Sequence, residues 1–188
     1  MSSSTEKSFV SRGALKLEAA LQAFNIDVNH KTVADLGSST GGFVDILLRK
    51  GAKKVYAVEK GYGTLDWGLR NDPGVVVMER TDATIVTLPE SVDIVTIDAG
   101  FARQSKLLPK ALSLLKAGGQ VISLLKPQYE ASGHELEKGQ LTENASRQII
   151  ARVEKELGSL GITIKNKLLS PVRGKEANAQ EIFILVEK

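Results

Sequence analysis

Two rhythms of apolar residues alternate along this chain. From Ser11, the residues Ala14, Leu17, Leu21 and Phe24 recur at steps of three and four, one face of a helix that Ser11 is placed to cap. Asn25 to Lys31 connects that helix to the compact run Thr32-Val33-Ala34-Asp35-Leu36-Gly37, which reads as a buried strand, and Phe43 to Leu48 turns helical again. A second strand covers Lys54 to Glu59. A short helix through Leu65, Trp67, Leu69 and Arg70 stops at Asn71-Asp72-Pro73-Gly74. The third strand is Val75 to Glu79 and the fourth is Val92 to Asp98. A helix carrying Leu107, Leu108, Ala111, Leu112 and Leu115 closes at Ala117-Gly118-Gly119, and the fifth strand, Gln120 to Lys126, is halted by Pro127. Glu130 to Leu141 bears glycine and charge and reads as a loop. Thr142 then caps a long helix with Ile149, Ile150, Val153, Leu157 and Leu160 as its stripe. Two strands finish the chain, Ile162 to Leu168 and Glu181 to Val186, separated by the turn-rich segment Ser170 to Gln180.

Five strands alternating with helices predict an α/β fold with a doubly wound, mostly parallel sheet. Two closing strands joined without a helix bring the count to seven and make the last one antiparallel. That is how a Rossmann-like class I methyltransferase sheet ends. No repeat, low-complexity tract or linker interrupts the pattern. Residues 1–8 are expected to be a disordered lead-in, and 9–188 a single domain, as a length of 188 residues favours.

Composition narrows the chemistry. Hydrophobic residues make up 42% and charged residues 25%, which suits a folded domain with a real core. The chain has no cysteine, so disulfides, thiolate metal sites and a cysteine nucleophile are excluded, and a reducing, cytoplasmic setting is expected. The two histidines, His30 and His134, lie too far apart in sequence to suggest a metal site or a histidine-dependent triad, so no metal is expected. No apolar run approaches the roughly 20 residues of a membrane span, and the polar start lacks a signal core. A net charge of +3 permits a nucleic-acid partner. From Ala99 to Tyr129 the chain carries Arg103, Lys106, Lys110, Lys116 and Lys126 and no acid, either a solvated face or a phosphate-facing patch.

The stretch Asp35-Leu-Gly-Ser-Ser-Thr-Gly-Gly-Phe43 joins the first strand to its helix. Strand, glycine turn and helix together let backbone N–H groups reach a ligand at a helix N-terminus. The spacing G-x-x-x-G-G is not the G-x-G-x-x-G of nicotinamide enzymes, and it points to S-adenosylmethionine. In open α/β sheets ligands lie beyond the carboxyl ends of the strands. Those ends supply Asp35 with Gly37, Ser38, Gly41, Gly42 and Phe43, then Glu59 with Lys60, then Asp82, Asp98 and Lys126. Glu59 is placed for ribose hydroxyls and Asp82 for the adenine amine. Lys126, at the end of an apolar strand and directly before Pro127, is no ordinary surface lysine. It either pairs with Asp98 or snorkels, or it converges with Asp98 where the transferable methyl points and acts there as a general base. Lys16 is a candidate second cation and Glu181 a candidate second carboxylate.

The ordered set Ser11-Arg-Gly-Ala-Leu-Lys16-Leu, Asp35 to Phe43, Val95-Thr-Ile-Asp98, Leu125-Lys-Pro-Gln-Tyr-Glu130 and Glu181-Ile-Phe-Ile-Leu resembles the TlyA (hemolysin A) branch of the FtsJ-like RNA 2′-O-methyltransferases, from about Phe9 to the C-terminus. The resemblance implies a Lys-Asp-Lys-Glu tetrad on Lys16, Asp98, Lys126 and Glu181. Lys126 would be the base for a ribose 2′-hydroxyl, Asp98 and Glu181 would orient it, and Lys16 would place the substrate. It further implies RNA as partner, ribosomal RNA first, contacted by Arg12, Arg103 and Lys106. The family's usual N-terminal RNA-binding module is expected to be absent ahead of Phe9. Two alternatives stay open. Asp98-Ala-Gly-Phe101 has the D-x-x-aromatic spacing that holds an exocyclic base amine. Ala99-Gly100 and the run Ala177 to Gln180 depart from the family pattern and suit a cofactor- or RNA-binding module without catalysis. A pore-forming role finds no long apolar helix and no alternating barrel strands.

Overall fold

A computed structural model describes residues 8–100, 102–136, 141–172 and 180–188. The expected lead-in therefore lies, up to residue 7, outside the described residues, as do Phe101 and all but Gln180 of the run Ala177 to Gln180 that departs from the family pattern.

The strands are β1 (Thr32–Leu36), β2 (Lys54–Val58), β3 (Val75–Met78), β4 (Val92–Ile97), β5 (Leu115–Leu125), β6 (Ile164–Leu169) and β7 (Ile182–Glu187). The helices are α1 (Gly13–Ala23), α2 (Gly42–Arg49), α3 (Trp67–Arg70), α4 (Gln104–Leu114), α5 (Pro127–Glu130) and α6 (Glu143–Ser159). All seven strands form one sheet in the order β3-β2-β1-β4-β5-β7-β6. The first five run parallel. Only β7 is reversed, inserted between β5 and β6 and antiparallel to both.

Strands buried on both faces must be apolar at nearly every position, and β1 is buried throughout. Alternate residues feed two separate cores. Val33, Val55, Ile94, Ile122 and Phe183 meet α1 and α2 on one face. Ala34, Tyr56, Val95, Val121 and Ile184 meet α4 and α6 on the other. Phe183 is fully buried, and its ring stacks on Phe43 at 6.2 Å between centroids, which fastens β7 beneath the helix that leaves the glycine loop. The Thr142 hydroxyl accepts from Ala145 N at 3.1 Å, the cap expected for α6. Ser11 is not the cap expected for α1: the N-cap position falls on Arg12, whose side chain makes no capping bond, and the Ser11 hydroxyl, two residues ahead of the helix, accepts from Gly13 N at 3.3 Å.

Most strand ends shift from the sequence expectation by a residue or two, as at β6, which begins at Ile164 rather than Ile162, and three differences go further. β5 begins at Leu115 rather than Gln120. Its ladder opens with Val92 opposite Leu115, shifts register, and resumes with Ile94 opposite Gln120. Gly118, at φ +73°, carries the extra residues of this bulge, and Lys116 reaches back to Asp93 at 2.8 Å. The second difference is at Pro127, which halts β5 but also opens α5 as its first helical residue, where a missing N–H costs nothing. Third, Glu130 does not belong to a solvated loop. It is buried, and its carboxylate accepts from Gln104 N at 2.7 Å at the start of α4.

Candidate active site

Beyond the carboxyl ends of β1, β4 and β5 lies a cleft of about 620 Å³. Its wall includes Lys16, Asp98, Lys126 and Glu181, together with Gly37, Ser38, Gly42 and Phe43 from the glycine loop and Arg12 from the start of α1. The four expected tetrad residues therefore face one space although they come from α1, β4, β5 and β7.

They form two ion pairs. Lys16 Nζ donates to Glu181 Oε2 at 2.5 Å, with side chains only 11% and 3% exposed, so this pair is desolvated. Lys126 Nζ lies 2.5 Å from Asp98 Oδ1. That oxygen nonetheless accepts no hydrogen bond, so the contact is a charge pair without hydrogen-bond alignment. The Lys126 ammonium is also 5.7 Å from the centre of the Tyr129 ring.

Asp35 lies beneath the glycine loop and is completely buried. Thr96 Oγ1 donates to its Oδ1 at 2.7 Å, while Oδ2 has no partner among the described residues. Burial pushes the carboxyl up from its ordinary 3.8 to about 7. The hydrogen bond from Thr96 opposes the rise, and the nearby charges of Asp98 and Glu59 add to it. Above it the loop is held by its own geometry. Gly37 adopts φ +93°, and a Cβ there would lie 2.8 Å from the Asp98 carbonyl oxygen, so only glycine lets β1 and β4 close together at this point. The missing side chains of Gly41 and Gly42 make room for Leu65 and Leu69 and for Ser11. The three glycines thus serve packing of the loop as much as ligand approach.

The other expected cofactor residues stand at their strand ends but outside the cleft wall. Glu59 is tied to the backbone: Ser39 N donates to Oε2 at 2.9 Å and Gly61 N to Oε1 at 2.7 Å. Asp82 accepts from Thr84 N at 2.9 Å and Thr84 Oγ1 at 2.7 Å, and Lys60 reaches it at 3.3 Å. The hydrogen bonds from the Thr84 backbone and hydroxyl, aided by Lys60, hold the Asp82 carboxyl below its usual range. Arg103 and Lys106 are exposed at the start of α4 and do not line the cleft. The acid-free stretch is not one bare basic face, because Lys116 and Lys126 are both paired with acids.

Sequence reasoning missed Gln128 and Tyr129, which line the cleft beside Lys126. The available signal was Pro127, which marks a helix start and so fixes where the next side chains point. Ser39 and Thr40 of the glycine loop and Val10 ahead of α1 also line the wall.

The reversed β7, the glycine turn after β1, the acids at successive strand ends and a cleft of this size suit an S-adenosyl group. Gly37, Ser38, Gly42 and Phe43 are expected cofactor residues on the cleft wall that could hold it. Among the described residues no His, Cys, Asp or Glu cluster is placed to hold a metal, and no helix is long and apolar enough to cross a membrane. Fold and site together define a class I S-adenosylmethionine-dependent methyltransferase. Comparison with known proteins narrows the class. The FtsJ-like methyltransferase family matches residues 9–182. The 16S/23S rRNA (cytidine-2′-O)-methyltransferase TlyA of Mycobacterium tuberculosis is 38% identical over 185 residues, covering 94% of this chain and 68% of that protein. The 23S rRNA (cytidine-2′-O)-methyltransferase TlyA of Campylobacter jejuni is 34% identical over 182 residues, covering 95% and 71%. A solved structure from Lactococcus lactis described as a hemolysin superposes with a TM-score of 0.89 at 36% identity, covering 96% of this chain and 88% of that one. The chain belongs to the FtsJ-like methyltransferases, in their TlyA-type branch.

Proposed function

We propose that this protein methylates a ribose 2′-hydroxyl of RNA, ribosomal RNA first, with Lys126 as the general base. The observation that carries the reading is the meeting of Lys16, Asp98, Lys126 and Glu181 in one cleft beside the glycine loop. The two TlyA relatives, named as rRNA 2′-O-methyltransferases, support it.

Bound S-adenosylmethionine supplies an electrophilic methyl on a positively charged sulfur. A ribose hydroxyl is a weak nucleophile until its proton is removed. Lys126 takes that proton while the oxygen attacks. Asp98, 2.5 Å from Nζ, fixes where the amine points. Lys16, held by Glu181, keeps a positive charge at the cleft wall, where it meets the phosphate beside the target ribose, and Arg12 extends that contact at the rim. Alignment of hydroxyl and methyl supplies much of the remaining acceleration.

The test uses purified protein, labelled cofactor and ribosomal subunits, with the product digested to nucleosides. A methyl on ribose is expected. Lys126→Ala should lower methyl transfer about 10²- to 10⁴-fold, the range of a lost general base, with cofactor affinity within a few-fold. A methyl found on a base amine refutes the ribose assignment, and normal transfer by Lys126→Ala refutes the mechanism. Tight cofactor binding without turnover on any RNA refutes the enzymatic reading.

A further inference from the structure

Three buried side-chain oxygens lack a hydrogen-bond partner among the described residues: Asp35 Oδ2, Asp98 Oδ1 and Gln128 Oε1. Buried acceptors are almost always satisfied in folded proteins, so orphans of this kind call for an explanation. Asp35 lies under the glycine loop and Asp98 lies 2.5 Å from the Lys126 ammonium. The third, Gln128, has been given no role. It lines the same cleft, two residues past Lys126.

Gln128 is carried on a rigid turn. Pro127 occupies the first position of α5, Tyr129 N donates to Lys126 O at 3.0 Å, and Ala131 N donates to Pro127 O at 3.0 Å. Glu130 is anchored to Gln104 N on the other side. Tyr129 is packed against Gly100, where a Cβ would come within 2.8 Å of the ring, so the ring is held against the chain leaving β4. An aromatic face and an amide edge thus flank the amine proposed to act on the ribose.

We propose that Gln128 determines which nucleotide is methylated, by reading the edge of the target base. The inference rests on the ribose-methylation reading above and deepens it. A ligand donor is needed for Oε1. In an internal ribonucleotide the 3′ and 5′ oxygens are esterified and donate nothing, and the 2′ proton goes to Lys126. Within the target nucleotide the donors that remain are on the base, and a cofactor donor in that place is told apart by measuring cofactor affinity. A primary amide whose carbonyl accepts from an exocyclic amine presents its own N–H to the ring nitrogen beside that amine, the two-point match by which amide side chains read amino-bearing bases. Cytosine and adenine offer this pair of groups. Uracil places a carbonyl where the amine would stand and an N–H beside it, so it is met only if the amide turns over and gives up the orientation that buries Oε1. A base read on this edge must be out of its helix, as for single-stranded or looped RNA.

The test compares the full chain with Gln128→Leu and Gln128→Glu on ribosomal subunits and on a transcript of the methylated region, with the target nucleotide either native or replaced by uridine. Product nucleosides, kcat/KM and cofactor affinity are measured for each. The wild type is expected to yield 2′-O-methylcytidine or 2′-O-methyladenosine and to lose at least about 10-fold in kcat/KM on the uridine transcript. Gln128→Leu should lower kcat/KM on native RNA about 10- to 100-fold, treat the two transcripts alike, and keep cofactor affinity within about 3-fold. Gln128→Glu, which loses the N–H offered to the ring nitrogen and can accept from the uracil N3–H, should lose the preference for the amino-bearing base, and it decides the matter if the leucine variant does not fold. Discrimination retained by Gln128→Leu, or lost cofactor affinity in place of lost discrimination, overturns the inference. A wild type that produces 2′-O-methyluridine overturns it and leaves ribose methylation standing, whereas a wild type that methylates no RNA overturns both.

Discussion

Replacing Asp35 by asparagine should flatten the dependence of stability on pH. The carboxyl rises from 3.8 in the ordinary state to about 7 in the fold. Each pKa unit corresponds to about 1.4 kcal/mol, so ionising this buried group costs the folded state roughly 4 kcal/mol in full. The sign follows from proton counting. Between these two values the folded protein binds more protons at Asp35 than the unfolded chain does, so this group's contribution to stability falls as pH rises from about 4 to about 7 and is level above that. Part of the fall is complete by pH 5, which leaves roughly 2 to 3 kcal/mol to be lost between pH 5 and pH 8. The Asp35→Asn variant keeps an acceptor for Thr96 Oγ1 and has no titration there. Its new amide lacks an assured partner, which costs about 1 to 3 kcal/mol at every pH, so the slope and not the level is diagnostic.

The assay is urea unfolding of the cofactor-free protein at pH 5, 6, 7 and 8, followed by far-ultraviolet circular dichroism, since Trp67, the only tryptophan, is already exposed in the fold. Wild type minus variant should change by roughly 2 to 3 kcal/mol across the series, with equal m-values. Parallel stability profiles, within about 0.5 kcal/mol throughout, would refute the claim that Asp35 is a carboxyl held partly protonated by burial. Titration with S-adenosylmethionine in two buffers of different ionisation enthalpy extends the test. A cationic ligand near Oδ2 draws the proton off, so binding by the wild type at pH 6.5 should release protons and binding by Asp35→Asn should release fewer.

The remaining predictions concern the packing that holds the cleft. Lys16→Met alone should destabilise by about 3 to 5 kcal/mol because it strands the buried Glu181 carboxylate, whereas Lys16→Met with Glu181→Leu should recover most of the stability and none of the methyl transfer; urea curves and a labelled-methyl assay separate the two effects. Gly37→Ala should cost about 1 to 3 kcal/mol from its positive φ and weaken cofactor binding, measured by calorimetry. Glu130 is pushed up by burial, with the Gln104 backbone bond opposing, so stability drawn from it is lost as pH rises; Glu130→Gln should gain thermal stability relative to wild type at pH 8 compared with pH 5.

The sequence reveals much of the frame because parallel strands buried on both faces leave little room for polar residues. Thr32–Leu36 and Val92–Ile97 stand out for that reason, and the helices between them show their stripes. The start of β5 did not, because a ladder register is a property of two strands, and nothing in Leu115 to Gly119 announces that Leu115 pairs with Val92 before the bulge. The acids at the strand ends were readable as positions, but their orientation was not. Glu59 and Asp82 are engaged by Ser39, Gly61 and Thr84, groups brought to them by turns rather than by any periodic pattern. Glu130 and Gln128 were hidden by their company, polar letters beside a glycine-bearing segment, and it took the helical turn at Pro127 to send one inward to Gln104 and the other into the cleft.

The reversal of β7 explains how Glu181 comes to the cleft at all. In a sheet of parallel strands every functional side chain at the top must come from a strand's end, and each such strand then leaves the site through a loop. An antiparallel strand arrives with its beginning at the same edge. Leu125 pairs with Ile182, so the residue after one and the residue before the other, Lys126 and Glu181, leave the ladder side by side. Moving β7 by one residue would swap every inward and outward side chain, taking Phe183 out of its stack with Phe43 as it moved Glu181. The position of the carboxylate is therefore secured by the burial of an aromatic ring two residues away. Lys16 is secured in the same way from the opposite side, because Ala14, Leu17, Ala20 and Leu21 bury one face of α1 and leave the neighbouring flank toward the cleft. The Lys16–Glu181 pair joins these two packed elements across the cleft wall, so its geometry is set by hydrophobic burial and not by the weak net energy of the charges themselves.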